Sequence, residues 1–243
     1  MISVCMPTFN GEKYLHKQME SILVQLSDAD EVIVSDDSSS DSTVKILDGF
    51  DDRRIKIIED QKFASPIFNL ENAIKNAQGD YIFLSDQDDI WLPNKIEITM
   101  NLLKKYDCVV SDASIIDARE NIIHHSFFEL NKSKRGFCYN FAKNGYLGCC
   151  MAFNKKMLRY ILPFPCNIPM HDIWIGNISE LFGKVIFYGE PLIYYRRHEF
   201  NYSMASEKSK NHIFIKIMNR YELLTSLVKR IFLSSNFDGF MSL

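Results

Sequence analysis

What most limits how this chain can fold is an alternation of segment types. Short apolar runs at residues 2–6, 31–35, 55–58, 81–84 and 108–111 are separated by longer segments, several with helical spacing of their apolar residues. Parallel neighbours need a crossover of a dozen or more residues, usually a helix, whereas antiparallel neighbours join through tight turns. Strands that alternate with helical patterns therefore predict a parallel sheet covered by helices. Between the first two runs, Tyr14, Leu15, Met19, Ile22, Leu23 and Leu26 recur at helical spacing, while Glu12, Lys17 and Glu20 fall largely off that stripe. This predicts a crossover helix with one buried face. In open sheets of this kind ligands bind beyond the carboxyl ends of the strands. The polar clusters of the sequence fall there: residues 7–11 (Pro7 to Gly11), 36–41 (Asp36 to Asp41) and 85–89 (Ser85 to Asp89). Three predicted strand ends thus point at one pocket.

The third cluster carries the chemistry. An apolar run breaks directly into Asp86, Asp88 and Asp89. Carboxylate oxygens are hard ligands suited to Mg²⁺ or Mn²⁺, and a cation held by one or two of them keeps positions open for phosphate oxygens. Carboxylates packed together at a strand end repel unless a cation neutralises them. The segment therefore reads as a metal and diphosphate site rather than a plain turn, although Asp is common in turns too, with Pro93 placed to open the next helix.

Length and composition set bounds on the rest. A chain of 243 residues suits one catalytic unit with a substantial core. A formal net charge of -3 with 47% hydrophobic residues describes an ordinary soluble globule and gives no case for nucleic acid as a partner. Cys5, Cys108, Cys138, Cys149, Cys150 and Cys166 form no metal-binding or redox spacing, which fits a reduced cytosolic setting. The N-terminus starts directly on a strand pattern, and no apolar run is long enough to span a bilayer, so neither a signal peptide nor a transmembrane helix is expected.

The second half is less regular. Residues 115–144 suggest a hairpin and a mobile loop, in which His124 and His125 are not read as ligands. Strand patterns return at 185–188 and 192–195, and a helix is expected over about 208–232. That helix mixes a broad apolar face with Lys216, Arg220, Lys229 and Arg230. Packing on the domain or on a partner subunit is the more economical reading, and peripheral contact with an anionic membrane is the alternative.

Taken together, the ordered succession Pro7–Gly11, Val34–Thr43, Gly79–Trp91, His171–Trp174 and Tyr195–His198 resembles family 2 glycosyltransferases over about residues 1–200. The metal segment looks most like bacterial rhamnosyltransferase-type members. The resemblance implies an α/β GT-A fold, a Rossmann-like mixed sheet flanked by helices with a C-terminal helical extension. The catalytic domain is expected over 1–205, with a nucleotide-binding half at 1–112 and an acceptor half at 113–205, followed by the extension at 206–243. It further implies a nucleotide-diphosphate sugar donor linked to UDP or dTDP, Mn²⁺ or Mg²⁺ as cofactor, and inversion at the anomeric carbon. The acceptor would be a saccharide or lipid-linked saccharide in surface polysaccharide assembly, O-antigen or capsule, at the cytoplasmic side of the membrane.

Carried onto this sequence, the resemblance places Thr8, Phe9 and Asn10 in the nucleotide pocket, with Asp36 or Asp37 bonded to the base. An aromatic face and an acceptor carboxylate are what a pyrimidine needs for stacking and for its ring N–H. Ser39, Ser40 or Asp41 would cap the next helix. Asp88 becomes the principal metal ligand, Asp86 a contact to ribose or metal, and Asp89 an orienting residue, with Trp91 in the core. Asp172 becomes the base that removes the acceptor proton, although the preceding position, often acidic in the family, is His171; helix capping is the competing role. Arg196 and Arg197 would cover the diphosphate, and His198 would be a third metal ligand or a phosphate donor. Gly145, Gly148, Cys149 and Cys150 either border the acceptor or mark close backbone packing. Two other classes are weighed: a sugar-1-phosphate nucleotidyltransferase, disfavoured because residues 7–11 lack a Gly-rich, basic phosphate loop, and a non-catalytic saccharide-binding module.

Overall fold

The computed structural model of the chain describes residues 1–199 and 213–240. The first four predicted strands form as β1 (Ile2–Thr8), β2 (Glu31–Asp36), β3 (Ile55–Ile58) and β4 (Tyr81–Leu84), all parallel and ordered β3-β2-β1-β4. Their crossovers carry α1 (Leu15–Leu23), α2 (Thr43–Asp48) and α3 (Pro66–Asn76). The strand order reverses between β1 and β4, which is the place where an open sheet leaves a crevice at its carboxyl edge.

Beyond β4 the sheet departs from the parallel expectation. The fifth predicted strand lies within β6 (Cys108–Ile116), which follows β5 (Ile90–Trp91) and α4 (Lys95–Leu103) but does not sit beside β4. The short β8 (Met151–Asn154) inserts between them, antiparallel to both. Periodicity reports that 151–154 is apolar and buried; it carries no information on which way the strand runs or which neighbour it takes. The two predicted strands at 185–188 and 192–195 are one strand, β9 (Val185–Arg196), parallel to β6 with irregular register at Asp112. Gly189, Glu190 and Pro191 interrupt the apolar pattern without ending the strand.

The 115–144 region also corrects the sequence reading. It opens with the expected hairpin, β6 to β7 (Ile122–His124), but continues as α5 (Phe127–Asn131) and α6 (Phe137–Ala142) rather than a loop. Asp112 anchors it, accepting from Phe128 N at 2.9 Å and Ser126 Oγ at 2.5 Å. Then follow α7 (Leu158–Ile161), α8 (His171–Phe182) and α9 (Ile213–Phe240). The last extends past the expected end at 232, while 208–212 and the expected boundary at 205 lie outside the described residues.

Every residue of β2 and of β6 is buried, so both faces of the sheet are covered. The predicted stripe of α1 packs inward as Leu15, Met19 and Ile22, with Leu26 beyond its end. A fourth buried member, Gln18, is polar because it hydrogen-bonds the β4 loop, as described below. On α9 the buried positions Leu223, Leu227, Arg230 and Ser234 make one narrow stripe. Arg230 donates to the carbonyls of Leu162 (2.7 Å) and Pro163 (2.5 Å) and stacks over Trp174 at 5.2 Å, so a charge is used here to dock a helix. All six cysteines are free thiols. Among the described residues no helix is long and apolar enough to cross a membrane.

Candidate active site

The carboxyl ends of β1 and β2 come first. Thr8 and Asp36 end these strands in register with each other. Thr8 is buried and donates Oγ1 to Asp36 Oδ2 at 2.8 Å, and Asp36 also accepts from Ser39 N (2.8 Å) and Ser39 Oγ (2.6 Å). Both Asp36 oxygens therefore hold the turn. Asp37 is less enclosed and accepts from Phe63 N at 2.6 Å and from Ser65 N at 3.3 Å, closing the 60–65 loop over the strand ends. None of the expected caps holds the N-cap position of α2, which is Ser42 with no side-chain capping bond; Asp41, one residue earlier, accepts from Thr43 N through Oδ1 at 2.9 Å. Phe9 is 56% exposed, an open aromatic face beside this carboxylate cluster. Asn10, in the left-handed region at φ 48, accepts from Ser40 N at 2.9 Å and ties the first loop to the second.

Gln87 was the unassigned middle residue of the acidic segment, and the structure gives it a task. Its Oε1 accepts from Phe9 N at 2.9 Å and its Nε2 donates to Phe9 O at 3.0 Å, so one side chain clamps the first loop to the acidic loop across the crevice. A Cβ at Gly11 would collide with that carboxamide, which explains the glycine. Net values for such bonds are about 1 kcal/mol each. Gln87→Ala is accordingly expected to cost about 1–2 kcal/mol of fold stability, measured by urea unfolding; an unchanged midpoint would show the clamp to be idle.

The acidic loop is fixed from below. Gln18 on α1 donates Nε2 to Ser85 Oγ at 2.7 Å and to the Asp86 carbonyl at 3.1 Å. Acidic or thiol atoms of Asp86, Asp89 and Cys149 lie within 4.8 Å of one another. Burial, then the charges of Asp88 and Asp172, push the Asp86 carboxyl up to about 7. Burial followed by Asp88 and Asp86 pushes Asp89 well up. Asp89 Oδ1 accepts from Arg196 N at 2.9 Å, while its buried Oδ2 has no hydrogen bond among the described residues. Asp88 Oδ2 lies 2.7 Å from His198 Nε2, with the imidazole 4.9 Å from the Tyr14 ring. A pocket that penalises its own negative charge and leaves a carboxylate oxygen unpartnered fits a divalent cation. The Cys149 thiol, pushed well up by burial, is protonated and soft, and adds no hard ligand.

The predicted basic cluster divides. Arg196 is buried, donates Nε to the Asp88 carbonyl at 2.7 Å and pairs with Glu120 at 3.2 Å, with its guanidinium 4.5 Å from the Tyr14 ring. That placement braces the acidic loop. Arg197 is half-buried, and its buried Nη2 has no hydrogen bond among the described residues.

Asp172 comes from α8, in the second half of the chain. It is the second residue of α8, whose N-cap is Met170, so it does not cap the helix end. It is 8% exposed, accepts from Asn144 Nδ2 at 3.0 Å and from Ile173 N at 2.6 Å, and is pushed up to about 6 by burial. The charge of Asp172 contributes to raising Asp86, so the α8 carboxylate lies near enough to the strand-end carboxylates to act on one of them. His171 is buried and held neutral, pushed down to about 4 by burial, with its imidazole filling the space where a Gly148 side chain would lie. Gly145 likewise packs on Asn140, and Cys149 and Cys150 are buried, so close packing explains this segment. Sequence reasoning missed Gln18, Gln87 and Asn144; a polar residue on the buried stripe of α1 was the one available signal, for Gln18.

Comparison with known proteins adds an independent line. The family model described as Glycosyl transferase family 2 matches residues 3–162. The chain is 30% identical over 183 residues to the UDP-Glc:alpha-D-GlcNAc-diphosphoundecaprenol beta-1,3-glucosyltransferase WfgD of Escherichia coli, covering 74% of this chain and 70% of that protein. It is 28% identical over 215 residues to the dTDP-rhamnosyl transferase RfbG of Shigella flexneri, covering 81% and 72%. Among solved structures, S. aureus TarS 1-349 in complex with UDP-GlcNAc aligns with a TM-score of 0.68 and 17% identity over 98% of this chain and 74% of that one. The mannosyltransferase PcManGT of Pyrobaculum calidifontis, in complex with GDP-Man and Mn2+, aligns with a TM-score of 0.63 and 17% identity over 94% and 64%. At such identities the structural likeness speaks to the fold alone.

Proposed function

The chain belongs to glycosyl transferase family 2 and has the GT-A fold, and on that premise we propose that it transfers a sugar from a nucleoside-diphosphate sugar to a saccharide hydroxyl with inversion. The observation that carries this reading is a buried carboxylate at Asp172 close enough to act on Asp86, in an acidic cluster whose members Asp86, Asp88 and Asp89 act on one another. A single displacement needs a base on the face opposite the leaving group, and Asp172, fixed by Asn144 and Ile173, takes the acceptor proton. Asp86, Asp88 and Asp89, with His198 beside Asp88, would hold Mn²⁺ or Mg²⁺, which neutralises charge on the departing diphosphate. Arg197 contacts the diphosphate, and Arg196 keeps the loop in place. Phe9 stacks on the base, with Thr8 and Asn10 shaping its loop. Asp37 accepts the ring N–H, since it is less enclosed than the buried Asp36 and, among the described residues, its Oδ2 holds only the long contact with Ser65 N.

The donor is taken to be a UDP- or dTDP-sugar, because uracil and thymine share that N–H and the relatives above are named for one of each. The acceptor is a saccharide or a lipid-linked saccharide, in O-antigen or capsule assembly at the cytoplasmic side of the membrane. Residues 1–205 form the catalytic domain, 1–112 for the donor and 113–205 for the acceptor, and 206–243 the extension.

The direct test incubates the protein with UDP- and dTDP-sugars, Mn²⁺ or Mg²⁺ and a saccharide panel, and reads nucleoside diphosphate release. Release of pyrophosphate from a nucleoside triphosphate and a sugar phosphate would replace this reading with nucleotidyl transfer. The pH profile gives a second check. A base that must be ionised, with its carboxyl near 6, makes kcat rise about tenfold per pH unit below that value and level above it. A flat profile between pH 5 and 7 would remove Asp172 from the role.

A further inference from the structure

Arg220 on α9 is half-buried, and among the described residues its one hydrogen bond runs from Nη2 to the Ala142 carbonyl at 3.3 Å. It forms no ion pair among the described residues, although a guanidinium has five N–H donors to satisfy. Burial pushes its pKa down, and the charge of Asp172 offsets part of that. Ala142 closes α6 two residues before Asn144, which donates to Asp172, so Arg220 stands beside the base. Lys216, one turn earlier and exposed, is a like charge at i,i+4, an arrangement that destabilises a helix unless an anion lies between. Exposed Ile217, Tyr221 and Leu224 continue the same flank as an apolar strip.

We propose that Arg220, assisted by Lys216, binds a phosphate or diphosphate carried by the acceptor, with an apolar carrier beyond it lying along Ile217, Tyr221 and Leu224. The proposal rests on the reading of Asp172 as the base: the hydroxyl at Asp172 and the anion at Arg220 then belong to one acceptor, and the donor diphosphate keeps its own contacts at Arg197 and the acidic cluster. A planar guanidinium suits a phosphate through paired N–H bonds.

The test titrates the full chain, without donor and in EDTA, with decyl diphosphate held below its micelle concentration, and with decyl maltoside as the uncharged control. Arg220→Gln should raise the Kd for decyl diphosphate at least tenfold, roughly the loss of one charge-assisted contact, and Arg220→Lys should raise it less. Decyl maltoside binding should not change, nor should decyl diphosphate binding in Arg197→Gln. An unchanged Kd in Arg220→Gln, equal weakening for decyl maltoside, or a loss that follows Arg197 instead overturns the proposal. Phosphatidylglycerol vesicles form a second arm: loss of vesicle binding with decyl diphosphate binding intact would assign Arg220 to lipid headgroups and also overturn it. Nucleoside diphosphate release from the donor is measured separately on the unmodified chain, so failure of the transferase reading and failure of the Arg220 site register in different assays.

Discussion

Replacing Asp172 with asparagine is expected to lower kcat by about 10²–10⁴-fold, the usual contribution of a positioned base, while donor affinity stays within about twofold of the unmodified protein. Asparagine keeps the shape of the side chain and one of its two hydrogen bonds, but cannot take a proton. Stability should move the other way. The folded protein holds this carboxyl near 6 against an ordinary value of 3.8, so folding favours the protonated form. Below about pH 4 both states are protonated and the shift has no effect; as pH rises to 6 the penalty of ionising the folded state grows, and above 6 it is constant, at about 3 kcal/mol as an upper bound. Asparagine resembles the protonated form, so the variant should gain thermal stability over the unmodified protein at pH 8 and lose that advantage at pH 4. The gain is less than the bound, because the amide N–H₂ faces a donor at Ile173 or Asn144. A variant that melts lower at pH 8 and retains activity would place Asp172 among structural residues.

Asp88→Ala should act at a different stage. Its carboxylate pairs with His198 at 2.7 Å, and its charge raises both Asp86 and Asp89, whose own ligand atoms lie within 4.8 Å of each other. Removing it takes away a hard ligand and leaves the imidazole without that partner. The expected result is a fall in kcat/KM of about 10³-fold or more, several kcal/mol of lost charge neutralisation on the leaving group. The stabilisation that a nucleotide sugar gives the fold in the presence of Mn²⁺ should disappear as well, since a ligand raises the melting temperature only as far as it binds. Donor titrations by thermal shift, with and without the cation, read both variants together. If Asp172→Asn loses donor binding as fully as Asp88→Ala, the division between base and metal site is wrong.

The difference between these two carboxylates also explains what could be read in advance. Asp86, Asp88 and Asp89 follow an apolar strand of the right length, and local order alone puts them at a carboxyl edge. Asp172 could be singled out only by the resemblance of residues 171–174 to a family motif, because nothing in its spacing says that it faces a cluster more than eighty residues earlier. Arg196 and Arg197 show the limit of that kind of reading. They are adjacent and chemically identical, so sequence assigned both to phosphate, yet the alternation of a strand sends Arg196 into a buried brace on the Asp88 carbonyl and leaves Arg197 with an unbonded Nη2.

The sequence by itself determined the strand-helix alternation, the polar clusters at the strand ends and the family, because these rest on local spacing and on residue chemistry within short segments. Only the tertiary structure decided that β8 runs antiparallel between β4 and β6, that Gln87 clamps the first loop to the acidic one, and that Arg220 from the last helix arrives beside Asp172. Those outcomes depend on which distant segments become neighbours when apolar surface is buried on both faces of the sheet, and that choice is made by packing of the whole chain rather than by any one stretch of it.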